Sequence, residues 1–311
     1  MNVFVSLEHR FKKTPDGKIW TVDQFPYQFW LRYLDVFDSV TIVARSRLEE
    51  YQHNFLRVDG DFINFIEIPY YEQLHGFIKE YPAINRKVNE IYNIADSSVI
   101  MRVPSTLSIL IKRKVNNFPF ALEVCGDPWD VFSKNSIHHP LRIFLKYYFY
   151  YTLKKMCSSA FAVSYVTNNY LQKKYPCNII DNSYALSDIF LNDDSYIDCP
   201  IIFDSRSCKK KIIFVGSLSQ KYKGLDIILN SMVILKDKGY DIDLRILGDG
   251  RYRYEYEILS KNLNLYQNVK FLGFVKTGKD VFELLDDSHL FILPSMTEGF
   301  PRAMIEAMAR G

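Results

Sequence analysis

Apolar residues in the N-terminal half of the chain fall into short runs divided by longer stretches with helical spacing. Runs at residues 2–6, 39–44, 61–68, 98–101, 120–124, 160–163 and 178–180 read as buried strands. Between them, residues 22–36, 82–94, 106–115, 141–157 and 168–174 repeat apolar positions as helices do. Pro82 suits a first helical turn, where its missing N–H has no bond to lose. Strands alternating with helices predict a parallel sheet covered on both faces, so the fold class is α/β.

Residues 181–210 break this alternation. They contain Asn192-Asp193-Asp194-Ser195, Asp198-Cys199-Pro200 and Ser205-Arg206-Ser207-Cys208, a turn-rich composition suited to a linker. The second half restarts more plainly, with strands at 211–215, 243–247, 269–272 and 290–293. Helices follow them at 224–236, 252–262, 279–286 and 301–310. The chain therefore divides into a first domain at 1–190, a linker at 191–210 and a second domain at 211–311. An open doubly wound domain usually has about six strands. Here the pattern stops at Gly311, directly after a helix, so the second domain is expected to be incomplete at its C-terminus.

Composition narrows the function classes. A net charge of +3, with no basic stripe joined to a binding motif, argues against nucleic acid as a partner. Cys125, Cys157, Cys177, Cys199 and Cys208 form no C-x-x-C pair, so neither a zinc site nor a disulfide framework is expected. A reducing, cytoplasmic setting fits. The N-terminus lacks the apolar core of a signal peptide, and no stretch has the length of a charge-free membrane span.

Chemistry is concentrated at the strand ends of the second half. Gly216-Ser217, with Lys221 and Lys223-Gly224, lies between a strand and a helix, where backbone N–H groups and the helix dipole can hold a phosphate. A solvated loop with surface lysines is the alternative. Gly248-Asp249-Gly250 closes the next strand and either lets backbone approach a ligand or makes an ordinary tight turn. It does not complete a dinucleotide fingerprint, because Arg253 occupies the third glycine position. Phe271-Leu272-Gly273-Phe274 can hold a planar base against main chain, or simply pack in the core. Glu298 and Glu306 stand eight positions apart, a little over two helical turns. Both can then address one elongated ligand, accepting hydrogen bonds from vicinal hydroxyls. Their alternative is a helix-end charge and a surface residue.

The run Thr297–Ala309, with Glu298 and Glu306 bracketing seven residues, resembles the E-x7-E signature of retaining glycosyltransferase family 4, the group 1 transferases. The Gly216 turn, Gly248-Asp249-Gly250 and Phe271–Phe274 follow in that family's order. The N-terminal half is similar more loosely, through Arg102-Val103-Pro104-Ser105, Glu123–Asp130 and Val163–Thr167, to capsule, O-antigen and exopolysaccharide enzymes. The resemblance implies the GT-B architecture of two Rossmann-like domains. It implies transfer of a sugar, with retention, from a nucleotide-diphosphate donor to a saccharide or lipid-linked saccharide hydroxyl.

It further implies that Glu298 and the Gly299-Phe300 backbone contact the donor sugar, that Glu306 binds ribose and that Lys223 neutralises the departing diphosphate. Gly216, Ser217, Lys221, Gly248, Gly250 and Phe274 would complete the donor site. Lysine and helix N-termini would suffice without a metal or other cofactor. The chain departs from relatives at Ser217, where many carry Arg, and at Gly126-Asp127, where many carry His. Lys221 stands as a substitute for the missing Arg, and Asp127 as a group positioning donor or acceptor. A truncated, inactive fragment or a nucleotide-sugar-binding remnant is the alternative to an active enzyme.

The helix at 141–157 has two readings. Its aromatics and basic residues, from Leu141-Arg142-Ile143-Phe144 to Lys154-Lys155, suit an anionic membrane at the inner face of the cell. A helix packed in the core with basic edges is preferred.

Overall fold

The computed structural model describes residues 1–22, 24–91, 97–115, 118–132, 140–186, 189, 191, 193–199, 201–203, 209–275, 278–296 and 301–311. The chain folds as two units, Met1–Val131 with Ile143–Asp188, and Phe132–Arg142 with Ile189–Gly311.

The first unit runs β1 (Asn2–Lys13), β2 (Ile19–Thr21), α1 (Tyr27–Leu34), β3 (Ser39–Leu48), β4 (Leu56–Arg57), β5 (Ile63–Ile68), α2 (Gln73–Ile91), β6 (Ser97–Val103), α3 (Thr106–Lys114), β7 (Ala121–Val124), α4 (Pro128–Val131), α5 (Arg142–Ser159), β8 (Ala162–Tyr165), α6 (Tyr170–Lys174) and β9 (Ser183–Ala185). Parallel strands pair in the order β5-β3-β1-β6-β7-β8-β9, and β2 and β4 add an antiparallel extension. The chain winds outward from β1, then returns to its other side at β6. The strand order therefore reverses between β1 and β6.

The strands' period of two explains the layers. Val3, Val5, Val40 and Ile42 face α1 through Phe29, Trp30 and Tyr33. Phe4, Val43, Val99 and Met101 face the opposite layer, with Ile84 and Val88 of α2 and Leu107 and Ile111 of α3.

Three expectations are corrected. β1 continues to Lys13 because its register with β3 shifts between Ser6 and Arg10 and then resumes through Lys13. The polar residues around that shift disguise the strand. Pro82 lies inside α2 and not at its start. The run at 178–180 is no strand, since Ile180–Asn182 forms a 3-10 turn and pairing with β8 moves to Ser183–Ala185.

The second unit runs β10 (Lys209–Val215), α7 (Leu225–Asp237), β11 (Asp241–Leu247), α8 (Arg253–Asn262), β12 (Val269–Gly273), α9 (Lys279–Asp286), β13 (Leu290–Phe291) and α10 (Arg302–Ala309). Its parallel sheet has the order β12-β11-β10-β13, again reversing beside its first strand. Phe214, Leu244 and Ile246 pack on Leu225, Ile228 and Leu229 of α7. Ile213 and Leu247 pack on Val281 and Leu285 of α9. Helices thus cover both faces, as the alternation of patterns predicts.

Trp30 is fully buried, and its indole N–H donates to the Phe25 carbonyl at 3.0 Å. Trp30→Ala is expected to cost about 3–5 kcal/mol. A urea titration followed by circular dichroism will show this as a lower midpoint for the first unit.

Candidate functional site at the strand ends

In the second unit, the loops after β10, β11, β12 and β13 all leave the carboxyl edge of one parallel sheet. Ligands of open α/β sheets bind along this edge, at the point where strand order reverses. That point lies between β10, followed by Gly216, and β13, followed by Ile292-Leu293-Pro294-Ser295.

Main-chain approach fixes the loops there. Gly224 has φ 74°, and a Cβ on it would lie 2.4 Å from the Pro294 carbonyl oxygen. It therefore seats the first turn of α7 directly against the loop after β13. The Met296 N–H donates to the Tyr222 carbonyl at 2.9 Å, holding the chain entering the Glu298 segment beside Lys223. The Lys223 stem passes Gly216, where a Cβ would meet its Cδ at 3.8 Å. Gly216, Lys223 and the N-terminus of α7 are thus gathered at one place. A half-buried lysine beside the N–H groups of a helix start is suited to a diphosphate.

The other residues singled out by sequence take varied places. Gly248, with φ 138°, abuts the Gly216 carbonyl oxygen so closely that a Cβ would lie 1.9 Å away. Gly250 lies against the Ser219 backbone in the same interface. These glycines are required by contact between two loops, whatever ligand the loops bind. The Ser217 hydroxyl accepts from the Ser219 N–H at 3.2 Å, closing the turn. Lys221 points elsewhere, ion-paired with Glu255 and 4.9 Å from the Tyr252 ring centre. The Glu255 carboxylate thus balances the charge of the lysine offered as a substitute for the missing Arg. Phe274 is 66% exposed at the end of β12, an open ring face and not a core residue. Glu306 is not a surface residue, since its side chain is 6% exposed and accepts from Arg302 Nε at 2.8 Å. Glu298, Gly299 and Phe300 lie outside the described residues.

Asp127, in the first unit, is corrected most. Its side chain is 2% exposed. Oδ1 accepts from the Trp129 N–H at 2.8 Å and the Tyr175 hydroxyl at 2.6 Å. Oδ2 accepts from Lys174 Nζ at 2.5 Å and the Tyr170 hydroxyl at 3.1 Å. Burial opposes its charge, but the bonds from Lys174, Tyr175 and the Trp129 N–H outweigh it and hold the carboxyl below its ordinary value. Both oxygens are spent on fastening α4 to α6. Asp127 is therefore an internal anchor and not an open group facing a substrate.

Within β1, at the register shift between Ser6 and Arg10 and just past the pairing with β6, Glu8 forms a centre that sequence reasoning missed. It accepts from the Tyr71 hydroxyl at 2.8 Å, the Leu107 N–H at 3.0 Å and the Ser105 hydroxyl at 3.2 Å, and pairs with Arg45 at 3.1 Å. Burial, followed by the Glu8 charge, pushes the Tyr71 phenol well above its ordinary value. Glu123, next along the sheet, pairs with Arg102 and accepts from the Tyr33 hydroxyl at 2.7 Å. The available signal was position alone, a carboxylate just past the apolar run at residues 2–6.

The depressed Asp127 value sets a pH dependence. Its stabilisation is present above the unfolded value of about 3.9 and is lost as pH falls through the lower folded value. Asp127→Asn is expected to cost about 2–4 kcal/mol at neutral pH. The gap between wild type and variant should narrow below about pH 4 in thermal melts across a pH series.

Comparison with known proteins supplies the family. The profile of "Glycosyl transferases group 1" matches residues 202–311. Protein CapJ of Staphylococcus aureus is 30% identical over 299 residues, covering 92% of this chain and 71% of that protein. A putative colanic acid biosynthesis glycosyltransferase, WcaL of Escherichia coli, is 37% identical over 107 residues, covering 32% of this chain and 26% of that protein. The crystal structure of Anabaena Alr3699/HepE in complex with UDP-glucose superposes with a TM-score of 0.62 at 13% identity, covering all of this chain and 78% of that one. With both strand orders, the loops along the carboxyl edge and these matches in place, the chain belongs to the group 1 glycosyltransferases and has a GT-B-type fold.

Proposed function

We propose that this glycosyltransferase takes a sugar from a nucleotide-diphosphate donor and joins it, with retention, to a saccharide hydroxyl during assembly of a bacterial surface polysaccharide. The observation that carries the reading is the gathering of Lys223, Gly216 and the α7 N-terminus where the second unit's strand order reverses. The named activity of WcaL in colanic acid biosynthesis and the UDP-glucose held by HepE support the acceptor and donor classes.

In the proposed reaction, the bond from the anomeric carbon to the donor phosphate oxygen breaks as the acceptor oxygen bonds to that carbon, and the acceptor's hydroxyl proton passes to the departing phosphate oxygen. Negative charge grows on the leaving diphosphate. Lys223 and the first N–H groups of α7 are assigned to that charge, where donors already fixed by the fold stabilise it with little reorganisation. Glu298 is assigned to the sugar hydroxyls. Glu306, buried against Arg302, is assigned to the ribose hydroxyls, and its ion pair fixes the carboxylate in place before a donor arrives. Phe274 offers an open ring for a base to stack on.

Lys223→Ala and Glu298→Ala are each expected to lower transfer by about 100-fold or more. Transfer is assayed with a radiolabelled nucleotide sugar, and proton NMR of the product should show the donor's anomeric configuration. Near-normal turnover in either variant, or an inverted product, would sink the assignment. The proposed charge stabilisation needs no metal, so excess EDTA should leave the rate within about twofold. Loss of activity restored by a divalent cation would overturn that part.

A further inference from the structure

The helix α5 shows two faces that its sequence does not separate. Leu153, Met156 and Cys157 are buried, and Phe149 and Tyr150 pack against the same core. Ile143, Phe144, Tyr147, Tyr148 and Tyr151 are exposed. These positions follow one another at helical spacing, so they form a single outward stripe. The stripe is ordered: Phe144 stacks on Tyr148 at 6.2 Å, and Tyr147 on Tyr151 at 6.4 Å. One turn further on, Lys154 and Lys155 are exposed on the same side. Arg113, at the end of α3, reaches the Tyr148 hydroxyl at 3.5 Å, bringing the basic run Lys112-Arg113-Lys114 alongside. Neither α3 nor α5 contains an Asp or Glu. The preferred reading of α5 as a core-packed helix with basic edges describes its inner face, and the outward stripe is additional to it.

We infer that the outward face of α5 docks this enzyme on an anionic phospholipid surface. An exposed row of large apolar rings is uncommon on a soluble surface and marks contact with something else. Tyrosine and phenylalanine favour the boundary between headgroups and acyl chains, where a ring is buried and a hydroxyl stays wet. Adjoining cations of a single sign add attraction to acidic headgroups. Among the described residues no helix is long and apolar enough to cross a membrane. Contact along one helix face is therefore peripheral and reversible. The inference does not depend on the donor chemistry proposed above, and its test contains no donor.

The test is co-sedimentation of the whole chain with vesicles of phosphatidylcholine alone or with about one-third phosphatidylglycerol. The wild type should pellet with the anionic vesicles at low salt, and the bound fraction should fall as salt rises. The triple variant Phe144→Gln/Tyr148→Gln/Tyr151→Gln and the double variant Lys154→Glu/Lys155→Glu should each weaken binding by about tenfold or more. Circular dichroism and melting check their folding. The charge reversal leaves every aromatic in place, so it decides the matter if the triple variant fails to fold. No wild-type binding at low salt, equal binding to phosphatidylcholine alone, or undiminished binding by the charge reversal would each overturn the inference. Sedimentation velocity without lipid adds another outcome. A wild-type dimer that the variants convert to monomer would assign the face to a second copy of this chain and overturn it too.

Discussion

Parallel strands cannot be joined by a tight turn, because each must start again at the same end as its neighbour. Every connection must cross the sheet, and helices serve as the crossovers. Both units obey this constraint through their main sheets, and most of what matters about them follows. Strands buried on two faces become apolar runs, helices acquire one inward stripe, and every strand-to-helix loop reaches the same edge. Where the order reverses, adjacent loops part to opposite faces and leave an opening between them. At that point stand Gly216 and the loop after β13 in one unit, and Glu8 with Arg102-Val103-Pro104-Ser105 in the other.

The second unit was the more legible in sequence, since each strand is a short apolar run and each helix begins near a glycine, proline or turn. The first unit was less so where local pattern and tertiary pairing part company. Nothing local in Glu8-His9-Arg10 says strand; β3 supplies the partners that extend β1 through Lys13. Pro82 is a sound signal for a helix start read alone, but the helix continues on both sides of it. In α5, apolar residues encircle the helix, so periodicity could not say which ring faced the core. Tyr150 and Tyr151 are neighbours in sequence, yet one meets Tyr175 and the other solvent.

Site residues divide along a similar line. The glycines and Lys223 announce themselves because their placement depends on the strand just before them. Asp127 could not be judged that way, because Lys174, Tyr170 and Tyr175 reach it from a helix more than forty residues later. Lys221 and Lys223 stand two positions apart in one loop, and Glu255 on α8, which no local pattern announces, is what claims Lys221. A charge in a loop acquires its meaning from groups that the fold brings to it, which spacing alone does not encode.

The loop after β10 and the loop after β11 are in effect one part. Gly248 leans on the Gly216 carbonyl, the Leu218 N–H donates to Asp249, and the Tyr252 N–H donates to Leu218. A change of length in either would unseat the other, so neither can be exchanged alone. Diversity among such enzymes must then accumulate elsewhere on the edge of the sheet, in segments that bear no comparable mutual contact. For anyone redesigning this protein, residues 216–219 and 248–252 are a shared module, to be kept intact or replaced together.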